Sequence, residues 1–223
     1  MRKSTKRDRE ATERRILEAT GRILARHGFR GLGVNAIARE ARADKVLVYR
    51  YFGGLPGLLE AYAQSTDFWP SADELAPRDP SADPAALASA MLSGLVRALR
   101  SRPATQEILA WELVEPSPLA ERTAEVRERA GVELMAKLPA ELPPGVDLPA
   151  VAALLTAGLT YLVLRSRTTR AWLGVPLQDA ATFQRLERAA ETVVRALLPS
   201  QHGNSRPRST RARAPKRRNR GNP

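Results

Sequence analysis

The chain is predicted to be all-α, in two parts: three short helices near the amino end and a longer helical bundle behind them. Three observations carry that prediction. Ala, Leu, Glu and Arg dominate, while aromatics are only 5% of 223 residues, a composition that favours helix over strands built on β-branched and aromatic side chains. Apolar residues recur at three- and four-residue spacing through most of the length. Gly or Pro closes the periodic runs, at Gly28, Gly53-Gly54, Pro103 and Pro116.

From Glu10 the pattern is helical, with Ile16, Leu17, Thr20, Ile23 and Leu24 on one face, and His27-Gly28 ends the run. Residues 1–9, MRKSTKRDR, read as a disordered basic arm. A short second helix carries Val34, Ile37, Ala38 and Ala41 on one side. After the tight connection Arg42-Ala43, Asp44 is placed to cap a third helix with its carboxylate. In that third helix Val48, Tyr51 and Phe52 form an inward stripe. Val46 and Arg50 lie opposite, flanked by Lys45, Leu47 and Tyr49. Short helices joined this closely make a helix-turn-helix unit over residues 10–54.

A helical domain over 55–199 follows. Leu58–Phe68 is expected to connect the two parts, and the Pro-, Asp- and Ser-rich residues 70–84 to form a loop. Helices are expected at Ala85–Arg100, Ala104–Val114 and Leu119–Leu138, and a Pro-rich loop at 139–149. Two more follow near 150–168 and 178–198, the last amphipathic through Phe183, Leu186, Ala190, Val193, Val194 and Leu197. The run Leu148–Leu164 holds no charge but falls short of the ~20 apolar residues of a membrane span. It reads instead as a helix buried at a protein interface, where Ala153, Ala157 and Gly158 allow close approach. Two such helices per chain would form a four-helix seam in a homodimer. Residues 200–223 offer nothing to bury and read as a disordered basic tail.

The net charge of +12 is divided unevenly. Residues 1–52 hold 14 Lys/Arg against 6 Asp/Glu, residues 53–199 hold 14 against 18, and residues 200–223 hold 8 against none. Basic ends around a mildly acidic middle point to nucleic acid ahead of a membrane. The absence of Cys excludes disulfides, thiolate catalysis and Cys-ligated metal. Two His, no phosphate-cradling glycine loop and no nucleophile–base pair argue against an enzyme, a metal site or a cofactor. No apolar signal segment follows the basic N-terminus, so a cytoplasmic location is expected.

The outward face of the third helix suits a DNA major groove. Val46 and Leu47 can meet thymine methyl groups, Lys45 and Arg50 can reach guanine acceptors or phosphates, and the Tyr49 hydroxyl can donate to a phosphate. With Asn35 and Arg39 of the second helix, these five make up the candidate DNA-binding set.

The segment from Arg14 to Tyr62, RRILEATGRILARHGFRGLGVNAIAREARADKVLVYRYFGGLPGLLEAY, resembles the TetR family of transcriptional regulators. The resemblance lies in the Ile-Leu element of the first helix, the Gly28-Phe29 step, the Ile37-Ala38 pair and the closing Tyr49-x-x-Phe52, in that order and spacing. Several positions depart from the family pattern. Leu32-Gly33 stands where Thr-Ser is usual, Arg42 replaces the turn Gly, and Asp44 replaces the Ser cap. Val46 replaces a smaller residue, and Leu55 stands where a phosphate-gripping Lys is common. The arm (Arg2, Lys3, Lys6, Arg7, Arg9) and the tail (Arg206 to Arg220) are expected to restore the weakened electrostatics.

The resemblance implies a homodimeric repressor, released from a palindromic operator by a small-molecule effector of unknown identity. Candidate pocket residues are Trp69, Met91, Leu95, Trp111, Glu115, Met135 and Tyr161, with Glu112 and Glu115 available to a cationic ligand. Arg165, Arg167 and Arg170 suit a helix C-terminus, with an anionic ligand as the alternative. The alternative is an architectural DNA-binding protein driven by its basic ends, without an effector.

Overall fold

The computed structural model describes residues 2–65, 68–76, 83–138 and 145–198. It is almost entirely helical. Helix α1 spans Arg2–His27, α2 Val34–Ala41, α3 Lys45–Phe52 and α4 Leu55–Ala63. Behind them come α5 (Ala72–Leu75), α6 (Pro84–Arg100), α7 (Pro103–Glu112), α8 (Pro118–Met135), α9 (Leu148–Arg165) and α10 (Ala180–Leu197). A two-residue hairpin, β1 (Ala171–Trp172) and β2 (Val175–Pro176), separates α9 from α10.

Side-chain caps set many of these boundaries. Asp44, Ser71, Asp83, Ser117, Asp147 and Asp179 each accept a backbone N–H at the start of a helix. Each such cap contributes ~1 kcal/mol over alanine. The expected Asp44 cap is made to the Val46 N–H at 2.8 Å. Gly33 caps α2 without a side chain. At the other end of α3, Gly53 takes φ 73°, the left-handed conformation that lets the Tyr49 carbonyl be satisfied as the chain turns.

The segment expected as a disordered arm continues α1 from Arg2. Arg9 pairs with Glu13 at 2.7 Å one turn on, and Thr12 donates to the Asp8 carbonyl. Lys, Arg and Glu are also good helix formers, so charge alone does not stop the helix. The loop expected at 70–84 contains α5, which Ser71 caps and whose Leu75 packs into the core. The tail from residue 200 lies outside the described residues.

Among the described residues, three apolar cores organise the fold. One gathers Ile16, Ile23, Ile37, Val48 and Leu58 and holds α1–α4 together. Leu58 therefore ties α4 to the helix-turn-helix, and a boundary at residue 54 cuts through that core. A second core joins Leu24, Tyr62, Phe68 and Ile108, so that α1 and α4 rest against α7. The largest, around Leu92, Leu95, Leu99, Leu159, Val163, Phe183 and Val194, is built by α6, α9 and α10. Helices α4 and α5 also touch α8.

Candidate nucleic-acid interface and inner cavity

The recognition face is built from an eight-residue helix held by its other side. Val48 is fully buried, and Tyr51 and Phe52 pack half-buried against the N-terminal core. That anchoring turns Lys45, Val46, Tyr49 and Arg50 outward, with Val46 57% and Tyr49 58% exposed. Asn35 and Arg39 are exposed on α2. Leu47 departs from the expectation: it is half-buried and packs against the core, so part of its side chain is committed inward.

Basic Arg42 and acidic Asp44 border this face. Arg42 ends α2 with φ 51°, a left-handed conformation that costs a non-glycine residue about 1–2 kcal/mol. Asp44 is exposed, but its carboxylate is engaged as the cap. Arg9 of α1 lies 5.0 Å from the Tyr51 ring centroid, a cation–π contact that brings the amino-terminal helix against α3. Glu13 bonds the same guanidinium and raises its pKa. Leu55, where the resemblance would place a Lys, packs against the N-terminal core. It serves the α3–α4 joint.

The second region of interest lies in the C-terminal part. A cavity of about 460 Å³ opens between α6, α8, α9 and α10, within the size range of small-molecule sites. Met91, Leu95 and Met135 line it, as do Leu92, Leu134, Leu138, Leu155, Thr156 and Glu128. The other proposed pocket residues lie elsewhere. Trp69 packs between the second core and the largest one, under the Arg127 guanidinium at 5.9 Å. Trp111 stacks on Phe29 with ring centroids 4.4 Å apart, and its indole N–H donates to exposed Glu115 at 3.0 Å. Tyr161 is exposed on the outer side of α9, edge-on to Trp172. Glu112 is committed to Arg127 at 2.7 Å and to the Thr123 hydroxyl. Large aromatic side chains are the wrong signal, because here they seal helix joints. The run Glu128, Gly131, Met135 on one face of α8, continued by Leu138 just past its end, is the pattern that marks the lining.

Phe29 and Trp111 also join the two halves of the molecule. Beside them Glu107 of α7 pairs with Arg167, just past the end of α9. A chain of contacts thus runs from a helix bordering the cavity to the turn that leads into α2.

The outer surface of α9 is apolar and uncovered in the single chain. Ala150, Ala153, Leu154, Ala157, Gly158 and Tyr161 are all exposed, Leu154 to 75%. The helix is long and apolar enough to cross a membrane, and only 17% of its 18-residue window is buried. On α10 a parallel stripe of Ala189, Thr192, Val193 and Ala196 is exposed as well. Val193, expected inward, is 43% exposed and belongs to this stripe.

Residues 16–62 match the family model described as bacterial regulatory proteins, tetR family. Over 47 residues the chain is 53% identical to the HTH-type transcriptional repressor SCO4008 of Streptomyces coelicolor. That match covers 21% of this chain and 24% of the relative, so the likeness spans about a quarter of that protein's length. A solved TetR-family regulator from Rhodococcus sp. superposes with a TM-score of 0.62 at 22% identity, covering 82% of this chain and 98% of that one. A TetR-like regulator from Rhodococcus sp. RHA1 gives 0.58 at 20%, covering 85% and 97%. Residues 16–62 are thus similar to the amino-terminal domain of the tetR family of bacterial regulatory proteins, and the chain as a whole shares the all-helical fold of these solved regulators.

Proposed function

We propose that this protein is a sequence-specific DNA-binding transcriptional regulator of the repressor type, acting as a homodimer and released from its operator by a small molecule. The observation that carries the reading is the outward face of α3. Val46, Tyr49, Lys45 and Arg50 stand exposed on a short helix whose opposite side is locked into a core. Apolar and basic groups side by side, held rigidly and uncovered, match the thymine methyls, guanine acceptors and phosphates of a major groove. The match of residues 16–62 to the family model supports it.

The exposed stripes of α9 and α10 support the dimer. Each runs at i, i+3, i+4, i+7 and is made of small or aliphatic side chains, the surface a four-helix seam needs. A C2 dimer would present two recognition helices about one DNA turn, ~34–36 Å, apart. A ligand in the cavity would push on α9, and the contacts through Glu107 and Trp111 give that push a route to the helix-turn-helix. Selection of bound sites from random DNA with the purified protein tests the reading. A short palindrome is expected, and uniform coverage without sequence preference would replace it with the architectural alternative.

A further inference from the structure

The chemistry of the inner cavity narrows what can bind there. Its wall is almost wholly aliphatic, and among the described residues no Lys, Arg or His lines it. Two lining side chains are polar. Glu128 stands at the rim of the cavity, exposed, and its carboxylate makes no ion pair or hydrogen bond among the described residues. Thr156 spends its hydroxyl proton on the Ala152 carbonyl at 2.7 Å, which leaves the oxygen as an acceptor. Both polar groups therefore accept, and neither donates.

We infer that the cavity takes an amphiphile with an aliphatic body and a hydrogen-bond-donating, cationic head, an alkylammonium in the simplest case. The body replaces water against Met91, Leu95, Met135 and Leu155, while the ammonium meets Glu128 at the mouth. A carboxylate or phosphate head finds no donor side chain in the lining among the described residues and faces a like charge. An anion moved from water into such a site loses hydration with nothing in exchange. The inference rests on the effector reading above and names the class of ligand for that site.

The test uses the full-length protein and three probes of one chain length, octylammonium, octanol and octanoate, each titrated calorimetrically at low salt. Octylammonium is expected to bind about three- to tenfold more tightly than octanol, since an opposite charge near 4 Å in a water-like medium contributes ~1 kcal/mol. Octanoate is expected to bind at least tenfold more weakly than octylammonium. Glu128→Gln should bring octylammonium down to the octanol value and leave octanol unchanged. Gly131→Leu should weaken all the probes that bind, because its added side chain starts from open space on the lining and fills the cavity.

Octanoate binding as tightly as octylammonium would overturn the inference. So would an ammonium preference that survives Glu128→Gln, or no binding of any probe. Release of selected operator DNA is measured separately. Probe binding in the expected order without release would leave the ligand class standing and sink the effector-release reading.

Discussion

Replacing Gly57 with Ala should disable DNA binding from a position outside the candidate DNA-binding set. Gly57 lies in the first turn of α4, where the helix starts directly after α3. A β-carbon there would sit 1.9 Å from the Phe52 carbonyl oxygen. A tolerable carbon–oxygen contact needs about 3.3 Å, so backbone must move by about 1.4 Å. The obstacle is main chain, and it cannot rotate away as a side-chain end would. The two helices meeting here are pinned by fully buried Val48 and Leu58, so the shift spreads into a packed core at a cost of about 1–3 kcal/mol. At roughly 2–4 °C per kcal/mol for a chain of this size, the melting temperature should fall by about 2–12 °C. A recognition helix displaced by that amount also loses directional contacts with bases, so operator affinity should drop at least tenfold, about 1.4 kcal/mol. Calorimetric melting and fluorescence-anisotropy titration read the two effects. Gly131→Ala is the control of opposite sign: among the described residues nothing beyond its chain neighbours and its own helix backbone lies within 4 Å of the β-carbon, and removing a helix-interior glycine should stabilise by about 0.8–1.0 kcal/mol. If Gly57→Ala melts and binds like the parent, the reasoning about the α3–α4 joint is wrong.

Other expectations follow from the same geometry. Arg50→Ala and Lys45→Ala should each cost about 1–3 kcal/mol of operator affinity and relax preference at particular base pairs, whereas Tyr49→Phe should weaken all sequences alike. A sequence-selective loss at Tyr49 would move that hydroxyl from phosphate to base. Leu154→Arg places a charge in the middle of the exposed α9 stripe and should yield a monomer of unchanged helicity in sedimentation; an intact dimer would move the seam elsewhere. Glu40 bridges α1 and α2 through a hydrogen bond from Arg22 at 2.7 Å, and that bond, helped by the charges of Arg22, Arg26 and His27, holds its pKa below the ordinary value. Its contribution is thus complete above about pH 4.5 and fades as pH falls through the lowered value. Acid unfolding of Glu40→Gln, followed by circular dichroism, should be shallower across that window, and an identical pH profile would refute the linkage. Deleting residues 200–223 should flatten the slope of log affinity against log salt, by up to about 0.9 for each phosphate that the tail neutralises; an unchanged slope would remove the tail from the interface.

Much of the helix-turn-helix is legible in the residues because its signals are local. Asp44 caps α3 as its side-chain chemistry requires, and Gly53 takes the positive φ that the end of α3 needs. The apolar stripe through Val48, Tyr51 and Phe52 faces inward. The hairpin is not legible. Leu173 and Gly174 take φ 48° and 76° in its tip, a turn usually marked by Asn-Gly or Asp-Gly. A leucine there, 93% exposed, sends no such signal. The start of α1 escapes the sequence for a related reason: a run of Lys and Arg is equally compatible with helix and with disorder, and the choice rests on contacts such as Arg9 with Glu13 and Tyr51.

The amino-acid sequence by itself determined the helical class, the capped short helices and the mixed basic and apolar character of residues 45–50, because periodicity, caps and side-chain chemistry act within a few residues. Only the tertiary structure decided which large side chains face a cavity and which close a joint. Trp111 and Met135 look alike as candidates in one dimension. One stacks on Phe29 and the other lines the cavity, because each is placed by a neighbour distant in the chain.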